Sequence, residues 1–283
     1  MLNNQLKTVL FLGILTGILL AIGQLLGGYS GLALAFVFAI VMNVGSYFYS
    51  HKLVLKMYKA KEASLEEYAD LHKMVQEVSQ LANVPKPKIY IVPSENPNAF
   101  CTGPNPQKAV LGYTQGILDL LSEEELKGVT AHEIAHDKNR DMLISTIAAT
   151  IASVISYVAF MARWGAIFGG IGGDRDGDNN VIGLLILAIV APLAATLIHL
   201  AISRSREFIA DETGARFIHN AAPLANALEK LEDYGKQAPM RMGTDSTNSL
   251  FIVNPFRGKK LLSLFMTHPP TEKRVERLKS LMI

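Results

Sequence analysis

The sequence predicts a mainly helical, polytopic membrane protein: four membrane-spanning helices in two hairpins, with the polar remainder folded into a helical domain that contains a small β-sheet. Three observations predict it. Of the 283 residues, 49% are hydrophobic and only 18% are charged, too apolar for an ordinary soluble chain. The apolar excess is gathered into long apolar runs of about 20 residues or more, the length that crosses hydrocarbon. Between these runs lie polar segments with helical periodicity and short strand-like stretches.

The spans come first. Residues 8–49 contain no Asp, Glu, Lys or Arg, and Gly27-Gly28-Tyr29-Ser30 divides them into runs at about 8–26 and 31–49. Two more apolar runs lie at about 142–170 and 181–203. The expected division is a first hairpin over 1–50, the first part of the polar domain over 51–141, a second hairpin over 142–203 and the rest of the domain over 204–283. No small-residue cleavage site precedes the second run, so the first is expected to be retained as a span.

Basic residues orient these spans, because short cytoplasmic loops are enriched in Lys and Arg. Lys7 precedes the first run, and Lys52, Lys56, Lys59 and Lys61 follow the second. Lys138 and Arg140 precede the third, Arg204 and Arg206 follow the fourth, and the loop 172–180 has one Arg and three Asp. Both termini and the polar domain are therefore expected on the cytosolic face of the cytoplasmic membrane. A net charge of +2, with the basic residues close to membrane ends, fits contact with the lipid bilayer and argues against nucleic acid. Cys101 is the single cysteine, which excludes an intrachain disulfide and suits a reducing compartment. No histidine lies near it in sequence to make it a nucleophile.

The polar domain is read next. Leu65, Tyr68, Leu71, Val75, Val78 and Leu81 recur at three- and four-residue intervals and predict an amphipathic helix ending before Pro85. Lys88–Val92 and Ala109–Gly112 read as strands. The Pro-, Asn- and Gly-rich stretch 93–107 reads as a loop, with an extended piece over 99–102. Ser122 and Glu125 form a capping box, so a helix is expected from Glu123 through Asp141, with no breaker before the third span. Past the fourth span, helix is expected to continue from Arg204 to Phe217, with others at Pro223–Asp233 and Thr271–Met282. The stretch 235–249 lacks periodicity and reads as a mobile loop.

Within the capped helix, His132-Glu133-Ile134-Ala135-His136 sets two imidazoles at i and i+4 on one face, about 6 Å apart along the axis, where both reach one zinc ion. In zinc peptidases of this pattern the glutamate is the general base. A catalytic zinc needs a third protein ligand, and Glu207 is the candidate. Asp211 follows one turn later, placed to accept the outer N–H of a ligand imidazole, and small Ala210 allows close helix approach. Alone, Glu207 and Asp211 would read as a solvated face balancing Arg204 and Arg206; beside the first motif they read as a ligand and its support. The other histidines are alternatives for the third ligand. His199 lies inside the fourth run, and His51, His72 and His219 lie in polar or amphipathic surroundings. On a continuous helix His136 precedes Met142 by about 9 Å, and Glu207 follows the fourth run closely. The metal site is thus expected at the cytosolic membrane face.

With these residues in place, the chain resembles the HtpX family of membrane metallopeptidases, relatives of the CAAX prenyl endopeptidase. The resemblance spans nearly the whole chain. It includes Ala131-His132-Glu133-Ile134-Ala135-His136 with Asp141 following, Ser205-Arg206-Glu207-Phe208-Ile209-Ala210-Asp211, and Phe265-Met266-Thr267-His268-Pro269-Pro270 with Lys273-Arg274. It implies a zincin-like (gluzincin) domain with one Zn2+ per chain on His132, His136 and Glu207, and Glu133 as base. It implies further that Asn98-Ala99-Phe100 binds substrate as an added strand. His268 would steady the tetrahedral oxyanion, and Arg274 would pack near Glu207 or Asp211. Cys101 stands where alanine is more usual, which touches no catalytic role. The implied activity is ATP-independent endoproteolysis of misfolded or damaged membrane proteins under stress, often with self-cleavage. No phosphate-binding loop occurs in the sequence, in keeping with independence from ATP.

Overall fold

A computed structural model of the chain describes residues 55–141, 178–237 and 269–283, with scattered positions between 10 and 52 and between 144 and 159. The chain divides into two compact units, one of Tyr47–Ile144 with Ser203–Ile283 and another of Leu2–Ser46 with Ser145–Ile202. The expected spans at 8–26, 31–49 and 142–170 fall largely outside the described residues, as do His51, His268 and most of the loop 235–249. Among the described residues, no helix is long and apolar enough to cross a membrane.

In the first unit the middle of the expected apolar stripe is buried, but Leu65 precedes the helix and, like Leu81, is exposed. Helix α1, Ala69–Ala82, buries Leu71, Met74, Val75 and Val78, and ends at Asn83 in the left-handed conformation (φ 54°) two residues before Pro85. Four strands follow the order β1-β2-β4-β3: β1 Lys61–Glu62, β2 Lys88–Val92, β3 Ala99–Thr102 and β4 Val110–Thr114. Strands β2 and β4 are parallel, and β1 and β3 pair antiparallel on the two flanks. Both sequence-expected strands are present, β4 starting one residue later and ending two residues later than its pattern suggested, and the 99–102 stretch is the edge strand. The two-residue β1 and the short helix α2, Gln115–Leu120, are too brief for periodicity to reveal.

Helix α3, Glu123–Lys138, starts on the capping box: Ser122 Oγ accepts from the Glu125 amide at 3.4 Å, and the Glu125 carboxylate accepts from the Ser122 amide at 2.9 Å. It does not run on through Asp141. The helix closes at Asn139, and Arg140 takes a left-handed conformation (φ 55°) that turns the chain. The expectation of one unbroken helix leading into the third apolar run is therefore corrected. A β-carbon makes this conformation costly, so its observation points to a local requirement that wins.

Helix α4 spans Asp178–Phe217, α5 Ala222–Gln237 and α6 Thr271–Lys279. Around α3 burial is nearly complete, because the sheet, α1, α4 and α5 cover different sides of it. Val75, Ile89, Leu111, Ile117, Val129 and Leu228 belong to the resulting core. Two glycines set the closest approaches. A Cβ on Gly128 would lie 2.6 Å from the Leu224 amide nitrogen on α5, and one on Gly214 of α4 would lie 2.8 Å from the backbone of Ala131 and His132. The sheet is tied to α3 by a 2.7 Å hydrogen bond between the buried Tyr113 and Thr130 hydroxyls.

Candidate metal centre

Gly214 brings α4 against the turn of α3 that carries His132, and this approach gathers the side chains singled out in the sequence. His132, His136 and Glu207 each offer a ligand atom, all within 4.8 Å of one another. The two Nε2 atoms are 3.1 Å apart; His136 Nε2 lies 3.4 Å from Glu207 Oε1, and His132 Nε2 lies 3.7 Å from Glu207 Oε2. Such separations are those of donors sharing one ion about 2 Å from each.

The outer nitrogens are held by carboxylates. Asp211 Oδ1 is 3.0 Å from His132 Nδ1, and Asp141 Oδ2 is 2.8 Å from His136 Nδ1. A carboxylate thus stands behind each imidazole, an arrangement that favours the Nδ1–H tautomer when Nε2 binds an ion, and Arg274 Nη2 lies 3.5 Å from His132 Nε2. The donor set of two imidazoles and a carboxylate fits a zinc ion.

Each carboxylate is in turn held by an arginine. Arg274 of α6, 1% exposed, grips Asp211 with two bonds, Nε to Oδ2 at 2.9 Å and Nη2 to Oδ1 at 2.7 Å. Its Nη1 also lies 3.5 Å from Glu207 Oε2, so it meets both of the acidic residues expected for it. Arg206 pairs with Asp141 and donates to the Asn139 carbonyl at 3.2 Å. Sequence reasoning gave Asp141 and Arg206 no role at the site. Their signal is not in spacing, since Asp141 reaches His136 only through the turn at Arg140.

Charge and burial set the protonation of the site. Burial pushes the Glu133 carboxyl up to about 7, and Glu207 adds to this, while His136, the Cys101 amide N–H and Arg274 oppose it. Burial also favours a neutral His136, but Glu207 and Asp141 outweigh that and hold the imidazole well above its ordinary value. Burial raises Asp211 as well, yet Arg274 and His132 draw it down to about 2. The Cys101 thiol is pushed well up by burial, which favours its unreactive protonated form.

The edge strand lies beside α3. Its pairing starts where the Thr114 amide donates to the Asn98 carbonyl at 2.9 Å. Antiparallel alternation then turns the backbone groups of Ala99 and Cys101 away from β4. The Cys101 amide accordingly reaches Glu133. Asn98, Ala99 and Phe100 are all buried, and the Phe100 ring lies over Gly112, where a Cβ would come within 2.3 Å of it. Of the remaining histidines, His72 bonds the Ala63 carbonyl at 3.1 Å, and His199 falls in the second unit.

A paired imidazole helix, a carboxylate from a second helix and a buried glutamate beside a small mixed sheet define a metallopeptidase. The comparisons agree. Residues 65–282 match the model of peptidase family M48. The chain is 52% identical to a protease HtpX homolog of Desulforapulum autotrophicum over 98% of its own length and 90% of that protein's. It is 49% identical to the protease HtpX homolog of Pyrococcus furiosus, covering 97% of this chain and 95% of that one. The crystal structure of S. mikatae Ste24p superposes with a TM-score of 0.62 at 18% identity, over 98% of this chain and 66% of that one, a likeness of fold. The chain belongs to peptidase family M48, and within it resembles the HtpX proteases across nearly its full length.

Proposed function

We propose that the chain is a membrane-bound endopeptidase that uses one zinc ion on His132, His136 and Glu207 to cleave misfolded or damaged membrane proteins. The observation that carries this reading is the convergence of those three ligand atoms with Glu133 buried in the same turn of α3. A bound zinc ion supplies Lewis acidity toward water and a carbonyl oxygen. Glu133 takes the proton of the attacking water and returns it to the leaving amine, a task suited to a carboxyl poised near neutrality. The Cys101 N–H orients that carboxylate. The peptide pairs with the outward backbone groups of β3 at Ala99, so that main-chain bonds rather than the seated Phe100 ring hold it. His268, which lies outside the described residues, donates to the developing oxyanion.

Membrane attachment rests on the apolar runs at 8–26, 31–49, 142–170 and 181–203, of which only 142–170 carries a charged side chain, Arg163. It is supported by the second unit, which exposes large apolar side chains including Leu10, Ile14, Val37, Val41, Ile189 and Leu193. With the basic flanks of these runs, the catalytic unit faces the cytosol.

The test compares purified wild type with Glu133→Ala on an unfolded protein in detergent, with and without a zinc chelator. Wild type should cleave, and the variant or the chelated enzyme should fall by at least about 10²-fold. Undiminished cleavage in either would refute the proposal.

A further inference from the structure

We propose that Asp141 and Arg206 form a positioning pair that aims His136 at the metal, the counterpart on that imidazole of the Asp211–Arg274 pair on His132. This rests on the metal-site reading above.

The two imidazoles sit on one helix, but they are supported differently. The carboxylate behind His132 comes from α4, four residues beyond Glu207, on a rigid helix packed through Gly214. The one behind His136 comes from its own chain five residues later, a spacing at which an unbroken helix would not bring the two side chains together. The turn at Arg140 makes the contact, at the cost of a left-handed conformation in a residue with a side chain. Its amide is held by the Asp137 carbonyl at 3.0 Å.

A carboxylate at the end of such a turn needs an anchor. Arg206 supplies it. The guanidinium binds Asp141 Oδ1, leaving Oδ2 for His136 Nδ1, and also ties down the carbonyl of Asn139, the residue that closes α3. Both side chains are buried, at 5% and 4% exposure for Arg206 and Asp141. Arg206 is also the immediate neighbour of Glu207. Thus α4 contributes a ligand and, one residue earlier, the group that fixes the orientation of another ligand. A guanidinium fork is required for holding one carboxylate and one carbonyl at once, which a lysine ammonium does less rigidly.

The experiment uses the full chain in detergent. Zn2+ affinity is read by chelator competition and the ligand field by the visible absorption of the Co2+-loaded protein. Unfolding in excess chelator reports fold alone. Asp141→Asn and Arg206→Gln should each weaken Zn2+ about 10–100-fold. Both should alter the Co2+ spectrum and lower kcat more than they change KM, and Arg206→Lys should recover part of the loss. The double variant should be no worse than either single one, because the two act as a unit. Wild-type affinity and Co2+ spectrum in Asp141→Asn would overturn the proposal, as would losses that multiply in the double variant or a change confined to unfolding in chelator. Failure of the wild type to take up Zn2+ or Co2+ at all would instead overturn the metal-site reading, and this inference with it.

Discussion

Replacing Gly214 by alanine tests how closely α4 has to approach α3 for the metal site to exist. The added Cβ would fall 2.8 Å from the Ala131 carbonyl and the His132 amide, and ordinary contact begins at 3.4 Å. Both contacts are backbone on a buried helix, which cannot rotate away as a side chain would, so α4 has to retreat by about 0.6 Å. Glu207 lies seven residues back on the same helix, about two turns, and shares the retreat. Metal–ligand distances tolerate about 0.2 Å, so Zn2+ affinity should drop roughly 10–100-fold, or about 1.4–2.7 kcal/mol. Stability changes less: overpacking costs about 1–3 kcal/mol, and the better helix propensity of alanine returns about 1. Gly128→Ala is the control, since its Cβ would strike the Leu224 backbone at 2.6 Å and press on α5 instead. Chelator competition and thermal unfolding, run on both variants, separate the two effects. Wild-type Zn2+ affinity in Gly214→Ala, or an equal loss in Gly128→Ala, would refute the argument.

Two further outcomes concern the supports around the site. Gly112→Ala should unseat the Phe100 ring and disturb β3, lowering kcat/KM on a fluorogenic peptide about tenfold while Zn2+ affinity stays unchanged; unaltered kinetics would show that the seating of Phe100 is immaterial. Burial raises the Glu125 carboxyl, but Lys230 at 2.7 Å and the two Ser122 bonds outweigh it and hold the group below its ordinary value. A depressed carboxyl stabilises the fold above its unfolded pKa of about 4.3 and loses that stabilisation as pH falls through the lower folded value. Glu125→Gln keeps the capping-box acceptor and removes the charge, so it should cost about 0.5–1 kcal/mol at neutral pH, a modest loss because Lys230 is half exposed, and the gap should narrow below about pH 4 in equilibrium unfolding.

The clustering of His132, His136 and Glu207 was legible in the sequence because its geometry is local: an i, i+4 pair on a helix, and a second i, i+4 pair whose carboxylates answer it. The same holds for the Ser122 cap and for α1, whose apolar stripe has a helical period. What escaped was set by tertiary contact or by a break in regularity. α3 is buried nearly all round, so it has no stripe that could announce which helix packs where. Gly128 and Gly214 look like weak points in helical runs until the facing backbones are known. Asp141 reaches His136 only because the chain turns at Arg140, a residue with no turn signature. Arg206 reads as one of the basic residues flanking an apolar run, and nothing local turns it toward a buried carboxylate.

The paired carboxylates and arginines have one more consequence, seen by counting charge. With every carboxylate ionised and both imidazoles neutral, as ion binding requires, Glu133, Glu207, Asp141 and Asp211 bring four negative charges into a buried site, and Arg206 and Arg274 bring two positive ones. Two units of negative charge are left over. A divalent cation cancels them, whereas a monovalent ion leaves one and a trivalent ion overshoots. On this count the site suits a divalent ion better than a monovalent or a trivalent one. Protons can make up the same deficit, as the upward shifts of the buried Glu133 and His136 indicate. Ion uptake is then an exchange against protons, and its affinity should climb steeply as the medium becomes more alkaline.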